Sequence, residues 1–399
     1  MARLRDRERK ALGLRWWPGI VSLFLATLAA FAVLCLHFPH VLTTPELRAV
    51  YPMALVRGLV AGGIVLAAAL GALAVALRRG GRLGALGLGL AFAAQLAGGG
   101  WVEVETPVAR SSHLGLDWLA LDLLLLAAVF VPLEKGFARL REQPVFRRGW
   151  RTDLAYFFVS HLLVQPLALA TVAPALLLLR WAAWPPLQQA VAAQPLVLQL
   201  VAAVLAADLA SYAAHRAFHA VPWLWRFHAI HHSSEALDWL AGSRLHLVDV
   251  IVTRAVAFTP LFLLGFGRDV LALYLVWVAA QATWIHANLG WRTGWLDPLL
   301  VTPRFHHWHH AADPAAKDKN FAVHFPWIDR LFGTHFLPDA AWPARYGVLE
   351  DAPPPGFAAQ LVWPFAGLVD GLRTEGGFRG RGSALPSGPE TGRAAPRDP

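Results

Sequence analysis

The stretch LVLQLVAAVLAADLASYAAHRAFHAVPWLWRFHAIHH, residues 196–232, begins as an apolar run and ends in histidines. Its first part is uncharged up to Asp208 and long enough to enter a bilayer as a helix. Residues three or four apart on a helix share a face. His215 and His219 are therefore neighbours, as are His228, His231 and His232. Asp208, Tyr212, His215 and His219 fall at i, i+4, i+7 and i+11 and form one stripe.

A third group, His306, His309 and His310, repeats the spacing downstream. It follows Thr302-Pro303, where Thr suits an N-cap and Pro the first helical position. His307 points off the shared face. Thirteen of the seventeen histidines lie between 215 and 335. His286 closes an apolar run in Trp284-Ile285-His286-Ala287-Asn288 and emerges on the same side as the clusters. His246, in Arg244-Leu245-His246, is a further candidate ligand.

The composition agrees with a membrane setting. Of 399 residues, 56% are hydrophobic and only 15% charged, and mean hydropathy is +0.46. Apolar runs long enough to span fall at roughly 16–38, 53–77, 83–100, 116–133, 154–179, 194–214, 250–266 and 270–287. The third is Gly-rich and the weakest. Pro166 and Pro174 are expected to kink the fifth. The seventh carries Arg254 and reads as a half-span paired with the eighth. The expected fold is therefore all-α: a polytopic membrane helical bundle of about eight spans with a histidine-rich helical cap on the cytoplasmic face. Residues 1–15 form a basic arm, 16–179 the N-terminal spans, 194–336 the histidine domain and 370–399 a disordered tail. Residues 357–369 suit an interfacial helix.

The net charge of +9 belongs to loops beside the spans, which argues against nucleic acid. Arg3, Arg5, Arg7, Arg9, Lys10 and Arg15 precede the first span and mark a cytoplasmic N-terminus. That span lacks a small-residue cleavage site and reads as a retained anchor. Alternate threading puts Arg78, Arg79 and Arg82 inside, then Lys135, Arg139, Arg141, Arg147, Arg148 and Arg151. The opposite loops carry only Arg48, Arg110, Arg180 and Arg268. The segments after 214 and 287 then share the cytoplasmic side of what reads as a bacterial inner membrane or its equivalent. The lone Cys35 removes disulfides, cysteine zinc sites and iron–sulfur ligation.

Eight cluster imidazoles exceed what one ion of ordinary coordination number takes. Two ions are the simpler reading, and five- or six-coordinate geometry favours iron over zinc. Isolated histidines near an interface are ordinarily structural, which is how His37, His40, His113 and His161 read. His324 and His335 suit surface or supporting roles. Ligating imidazoles usually donate their second N–H to a carboxylate or carbonyl. Asp208 is a candidate acceptor, set against a plain helix–helix hydrogen bond; Glu235, Asp238 and Asp249 are weaker ones. Trp223, Trp225, Phe227, Trp239, Trp284 and Trp308 are candidates to line an apolar slot, against simple anchoring or packing.

The ordered set resembles the fatty acid hydroxylase/sterol desaturase superfamily of integral membrane non-haem di-iron enzymes. It runs from Asp208 through His215-Arg216-x-x-His219, Trp225-Arg226-Phe227-His228-x-x-His231-His232-Ser233, Arg244-x-His246 and His286-x-Asn288. It continues with Thr302-Pro303-Arg304-x-His306-x-x-His309-His310, Lys319-Asn320-Phe321 and Asp329-Arg330-Leu331-Phe332-Gly333-Thr334. The resemblance covers about 205–336, a third of the chain. It implies two irons held by His215, His219, His228, His231, His232, His306, His309 and His310, with O2 as co-substrate. Beside those eight, position makes His246 and His286 further candidate ligands, and Asp208, Tyr212 and Asn288 candidate supporting residues. The resemblance implies attack on a lipid C–H bond: some relatives hydroxylate, some desaturate and some cleave ether lipids, and hydroxylation is the reading preferred here over desaturation. Several relatives carry a cytochrome b5-like domain that this sequence lacks, so a separate cytochrome b5-like or ferredoxin-like donor is expected. No Gly-x-Gly-x-x-Gly follows a strand pattern. The rival readings are a non-enzymatic membrane metal carrier or sensor, and a zinc-dependent hydrolase. A carrier should place ionisable groups at mid-bilayer, and hydrolysis should need neither O2 nor reductant.

Overall fold

A computed structural model of the chain describes residues 2–77, 80–104, 113–291, 293–339 and 341–375. Among these the regular structure is helical, with two isolated β-bridges and no strand. Among the described residues six helices are long and apolar enough to cross a membrane, and the chain is an integral membrane protein.

The first three are α1 (Ala2–His37), α2 (Met53–Ala76) and α3 (Gly81–Leu96). They pack backbone to backbone because small residues line their seams. A Cβ on Gly71 would lie 2.7 Å from the Gly84 carbonyl oxygen, and one on Gly84 2.6 Å from the Ala74 Cβ. Ala26, Ala67, Ala74 and Ala91 are fully buried there, and Ser22 Oγ donates to the Ala67 carbonyl. The glycines that weaken the third run as a hydropathy signal are thus what brings it against its neighbours.

Helix α4 (Leu116–Gly136) is the fourth apolar helix. At one end Asp117 accepts from Thr44 N and Oγ1, both at 2.9 Å. At the other, Glu134 Oε1 accepts from Trp239 N and Asn288 N at 2.7 and 2.9 Å. The expected fifth span is instead two helices, α5 (Trp150–Leu162) and α6 (Val164–Ala182), separated at Leu163. Pro166 has no N–H for the carbonyl four residues earlier, so the ladder breaks ahead of it.

Helix α7 (Leu196–Ala220) carries the stretch quoted first. It ends at Val221, in extended conformation ahead of Pro222, and α8 (Pro222–His232) starts at once. Helix α9 (Leu247–Leu263) has 17 residues. It is not one of the six helices long and apolar enough to cross, whereas the third of those continues past α3 to Trp101; the seventh expected segment is thus not a full span. Helix α10 (Arg268–His286) is the sixth spanning candidate and ends on His286. Helix α11 (Pro303–His309) is capped by Thr302, whose hydroxyl accepts from Phe305 N. Behind these histidines, Tyr212, Ile285, Val301, Phe305, Phe321 and Ile328 form one buried cluster.

Helix α12 (Phe357–Glu375) contains the segment expected at the interface and packs on α8. Arg226 donates to the carbonyls of Trp363 and Pro364, and its guanidinium lies 4.6 Å from the Trp363 ring centre. The tail expected from 370 lies mostly outside the described residues, as do Arg78, Arg79 and Arg110 of the charge alternation.

Candidate metal centre

Four helices and one turn bring nine histidines together. His215 and His219 from α7, His228 and His232 from α8 and His309 from α11 form one group. His231 from α8, His286 from α10, and His306 and His310 from α11 and its C-cap form the other. Within each group the candidate ligand atoms lie within 4.8 Å of one another. The groups adjoin: the His232 and His310 rings stack with centroids 4.5 Å apart.

Hydrogen bonds fix which nitrogen of most rings is bare. A ring nitrogen that faces a carbonyl or carboxylate must carry the proton. His215 Nδ1 faces Phe321 O at 2.8 Å, His309 Nδ1 faces Lys319 O at 2.8 Å, and His231 Nδ1 faces Arg244 O at 3.1 Å. His286 Nδ1 faces Ala282 O at 2.7 Å. His228 Nδ1 meets Asp249 Oδ2 at 2.7 Å, and His219 Nδ1 meets Asp318 Oδ1 at 3.2 Å. In the neutral state each of these six rings turns a lone pair outward from Nε2.

Those lone pairs confront one another. His215 Nε2 lies 3.0 Å from His228 Nε2, and His286 Nε2 lies 3.2 Å from His231 Nε2. No proton is available between either pair. The Nε2 atoms of His219 and His309 are buried without a hydrogen-bond partner. Protonation does not relieve this. Burial, then repulsion from neighbouring rings, holds His231, His232, His306 and His310 well below the usual imidazole range, and His309 likewise. A shared cation does relieve it. Metal–imidazole bonds of about 2.1 Å place adjacent octahedral donors about 3.0 Å apart, which matches the pairs seen here. The donor set therefore fits transition-metal binding.

The other predicted residues divide. His246 is not in either group. It caps α9, with Nδ1 accepting from Val248 N and Nε2 donating to Leu361 O, so both nitrogens are committed to backbone. The side chains of Asp208, Tyr212 and Asn288 form no hydrogen bond to any of the nine rings. Asp208 accepts the backbone N–H of Val323, His324 and Phe325. The Tyr212 hydroxyl pairs with Thr334 Oγ1 and accepts from Arg216. The Asn288 side chain brackets the backbone of Leu140. Of the four candidate carboxylates named from the sequence, Asp249, a weaker one, hydrogen-bonds to a grouped ring. Asp318 was missed, although it adjoins the Lys319-Asn320-Phe321 motif. His307 is engaged by Tyr346 Oη and His286 O, and His324 Nδ1 accepts from Trp277 Nε1. Glu235 pairs with exposed Arg148, and Asp238 with buried Arg147.

An apolar groove of about 650 Å³ opens between α6, α7 and α9, lined by Pro174, Ala206, Ala210, Ile251, Ala255 and Leu263 among others. The six aromatic candidates do not line it. Trp225 instead packs against His219 and His232, and Phe227 against His246. Trp239 and Trp284 join an apolar cluster with Phe130 and Phe157, Trp308 Nε1 donates to Ala341 O, and Trp223 is exposed.

Fold and site together define a polytopic membrane protein with two adjoining histidine groups able to hold metal ions. Residues 200–334 match the fatty acid hydroxylase family. That part of the chain is similar to the fatty acid hydroxylase domains of the fatty acid hydroxylase/sterol desaturase superfamily. The chain is 34% identical over 205 residues to an ornithine lipid hydroxylase of Rhizobium tropici, an overlap of 50% of this chain and 59% of that one. It is 33% identical over 138 residues to an alkylglycerol monooxygenase of Danio rerio and 34% over 132 residues to that of Homo sapiens. These overlaps cover about a third of this chain (35% and 33%) and 30% and 29% of those relatives. The chain thus spans 59% or less of each of these curated relatives. No solved structure matches it significantly.

Proposed function

We propose that the protein is an O2-dependent membrane di-iron oxygenase that hydroxylates a C–H bond in the hydrocarbon part of a lipid. The observation that carries the reading is the facing of bare Nε2 atoms in both histidine groups, at 3.0 and 3.2 Å. His215, His219, His228, His232 and His309 would hold one iron, and His231, His286, His306 and His310 the other. Bound iron would supply the O2-derived oxidant that breaks an unactivated C–H bond, chemistry no side chain here provides. The relatives' names, a lipid hydroxylase and a lipid monooxygenase, favour the same class.

The chain supplies orientation and dryness. Each Nδ1 bond to a carbonyl or carboxylate fixes a ring and raises its basicity. Phe218, Trp225 and Phe321 pack beside the first group and exclude water. The groove suits one hydrocarbon chain. From Ile251 to Leu263 it follows α9 for about 18 Å at 1.5 Å per residue, and its Ile251 end lies half a turn from Asp249, the partner of His228.

The metal face is assigned to the cytoplasmic side. The basic loop between α4 and α5 supports this, because Arg139 N and Leu140 N bond to Asn288 just after His286. Electrons would arrive there from a cytochrome b5-like or ferredoxin-like carrier. Purified protein loaded with iron should contain two ions per chain, consume O2 only with reductant, and convert a membrane lipid to a product heavier by one oxygen. His231→Ala or His309→Ala should abolish that product while the chain still fractionates with membranes. Product that survives both changes, or forms without reductant, rules the reading out; zinc-dependent hydrolysis is the class that reductant-independence would favour.

A further inference from the structure

Residues 319–325 have no regular secondary structure, yet five successive amides in this segment end on two buried carboxylates. Phe321 N and Ala322 N donate to Asp329 at 2.8 and 2.9 Å. Val323 N, His324 N and Phe325 N donate to Asp208 at 2.8, 3.1 and 2.7 Å. Asp208 comes from α7 and Asp329 from the short helix Pro326–Leu331, and both are fully buried. A carboxylate suits the task because it has two accepting oxygens and no donor. An amide side chain would turn an N–H toward an N–H.

The same segment and the residue before it orient three of the five rings in the first histidine group. Asp318 Oδ1 meets His219 Nδ1, Lys319 O meets His309 Nδ1, and Phe321 O meets His215 Nδ1. Asp318 and Asn320 hold left-handed backbone, at φ 56° and 61°. Asn320 steadies the turn through side-chain bonds to Phe305 O, Phe336 O and Phe336 N. The shape of this turn is therefore set by buried side chains rather than by a helix or sheet ladder. The four rings of the second group take nothing from it; His231 and His286 use Arg244 O and Ala282 O.

We propose that Asp208 and Asp329 are positioning residues for the five-histidine group, acting through the backbone of 321–325 and not on any ring. This rests on the reading of the histidines as metal ligands. It assigns the intramembrane Asp208 a role that neither a direct ring partner nor a plain helix–helix bond describes. It also makes the effect selective: disturbing either carboxylate should alter one metal position and spare the other.

The test uses the full chain in detergent, titrated with Co2+ and followed by absorption. The proteins compared are wild type, Asp208→Asn, Asp329→Asn, His309→Ala and His306→Ala. The two histidine variants give the signatures of a damaged first and second group. Wild type should take two ions, and Asp208→Asn should bind one of them at least tenfold more weakly, with the signature of His309→Ala. Asp329→Asn, which leaves Asp208 intact, should show the same signature if Asp208→Asn proves poorly folded. A folded variant that titrates like wild type, or that resembles His306→Ala, overturns the proposal. Uptake lost in parallel at both positions, tracking loss of folded protein, overturns it as well. Wild type that takes fewer than two ions instead refutes the metal-centre reading, and the proposal falls with it.

Discussion

An acceptor on one nitrogen of a buried imidazole fixes the proton there and leaves the other nitrogen bare for a metal. His228 is so placed by Asp249; His246 is not, because Val248 N occupies its other nitrogen. Asp249→Ala should therefore weaken metal binding about 10- to 100-fold, read by equilibrium uptake. His246→Ala should leave uptake unchanged and cost on the order of 1 kcal/mol through the lost α9 cap, read by chemical unfolding in detergent. The pH response has a definite sign. His231, His232, His306, His309 and His310 have folded-state pKa values below the unfolded ~6.5. Between those values the unfolded chain binds protons that the folded chain refuses, so stability is full above about pH 6.5 and falls as the pH drops below it. The thermal midpoint of chelator-treated protein should hold between pH 8 and pH 7 and decline steadily toward pH 5; a midpoint that rises on acidification would contradict the burial of neutral rings.

Helix α11 holds residues of both groups in seven positions, too few to be stable alone. Its support is Thr302, fully buried, which caps Phe305 N and donates to Asp297 at 2.8 Å. Thr302→Ala should cost about 1 kcal/mol and lower occupancy of both metal positions together, in contrast to the selective loss expected for Asp208→Asn. Metal analysis of the two variants side by side checks the difference. The joint at Val221 matters similarly. With no linker between α7 and α8, His215 and His219 face His228 and His232 across one extended residue.

At the scale of the molecule, the α1–α2–α3 unit and the histidine unit are held by different forces. The first depends on close glycine and alanine seams. The second is tied to the α4–α5 loop by buried charge: Arg147 bonds Asp153 and Asp238, and Asp153 also bonds Arg244, whose carbonyl holds His231. Gly84→Val should disrupt the first unit and leave metal uptake by folded chains intact. Arg147→Ala should leave the buried Asp238 without its counter-ion, cost about 3–5 kcal/mol, and reduce uptake. Proteolysis patterns combined with metal analysis separate these outcomes. Much of this organisation was legible beforehand: the helical class, most apolar runs, the N-cap of α11 and eight of the nine grouped histidines came from periodicity. The seventh run, read as a half-span, forms the 17-residue α9, and the kink expected from Pro166 is a full break at Leu163, which a hydropathy window averages over.

The sequence by itself determined that the chain is helical and membrane-embedded, and that its imidazoles lie in sets at helical spacing, because these properties are local and repeat every turn. Only the tertiary structure decided how nine rings divide into two groups, that His286 lies among them while His246 does not, and that backbone carbonyls and Asp318 hold the outer nitrogens of five. Those facts depend on contacts between segments tens to a hundred residues apart, and a carbonyl acceptor has no letter in the sequence.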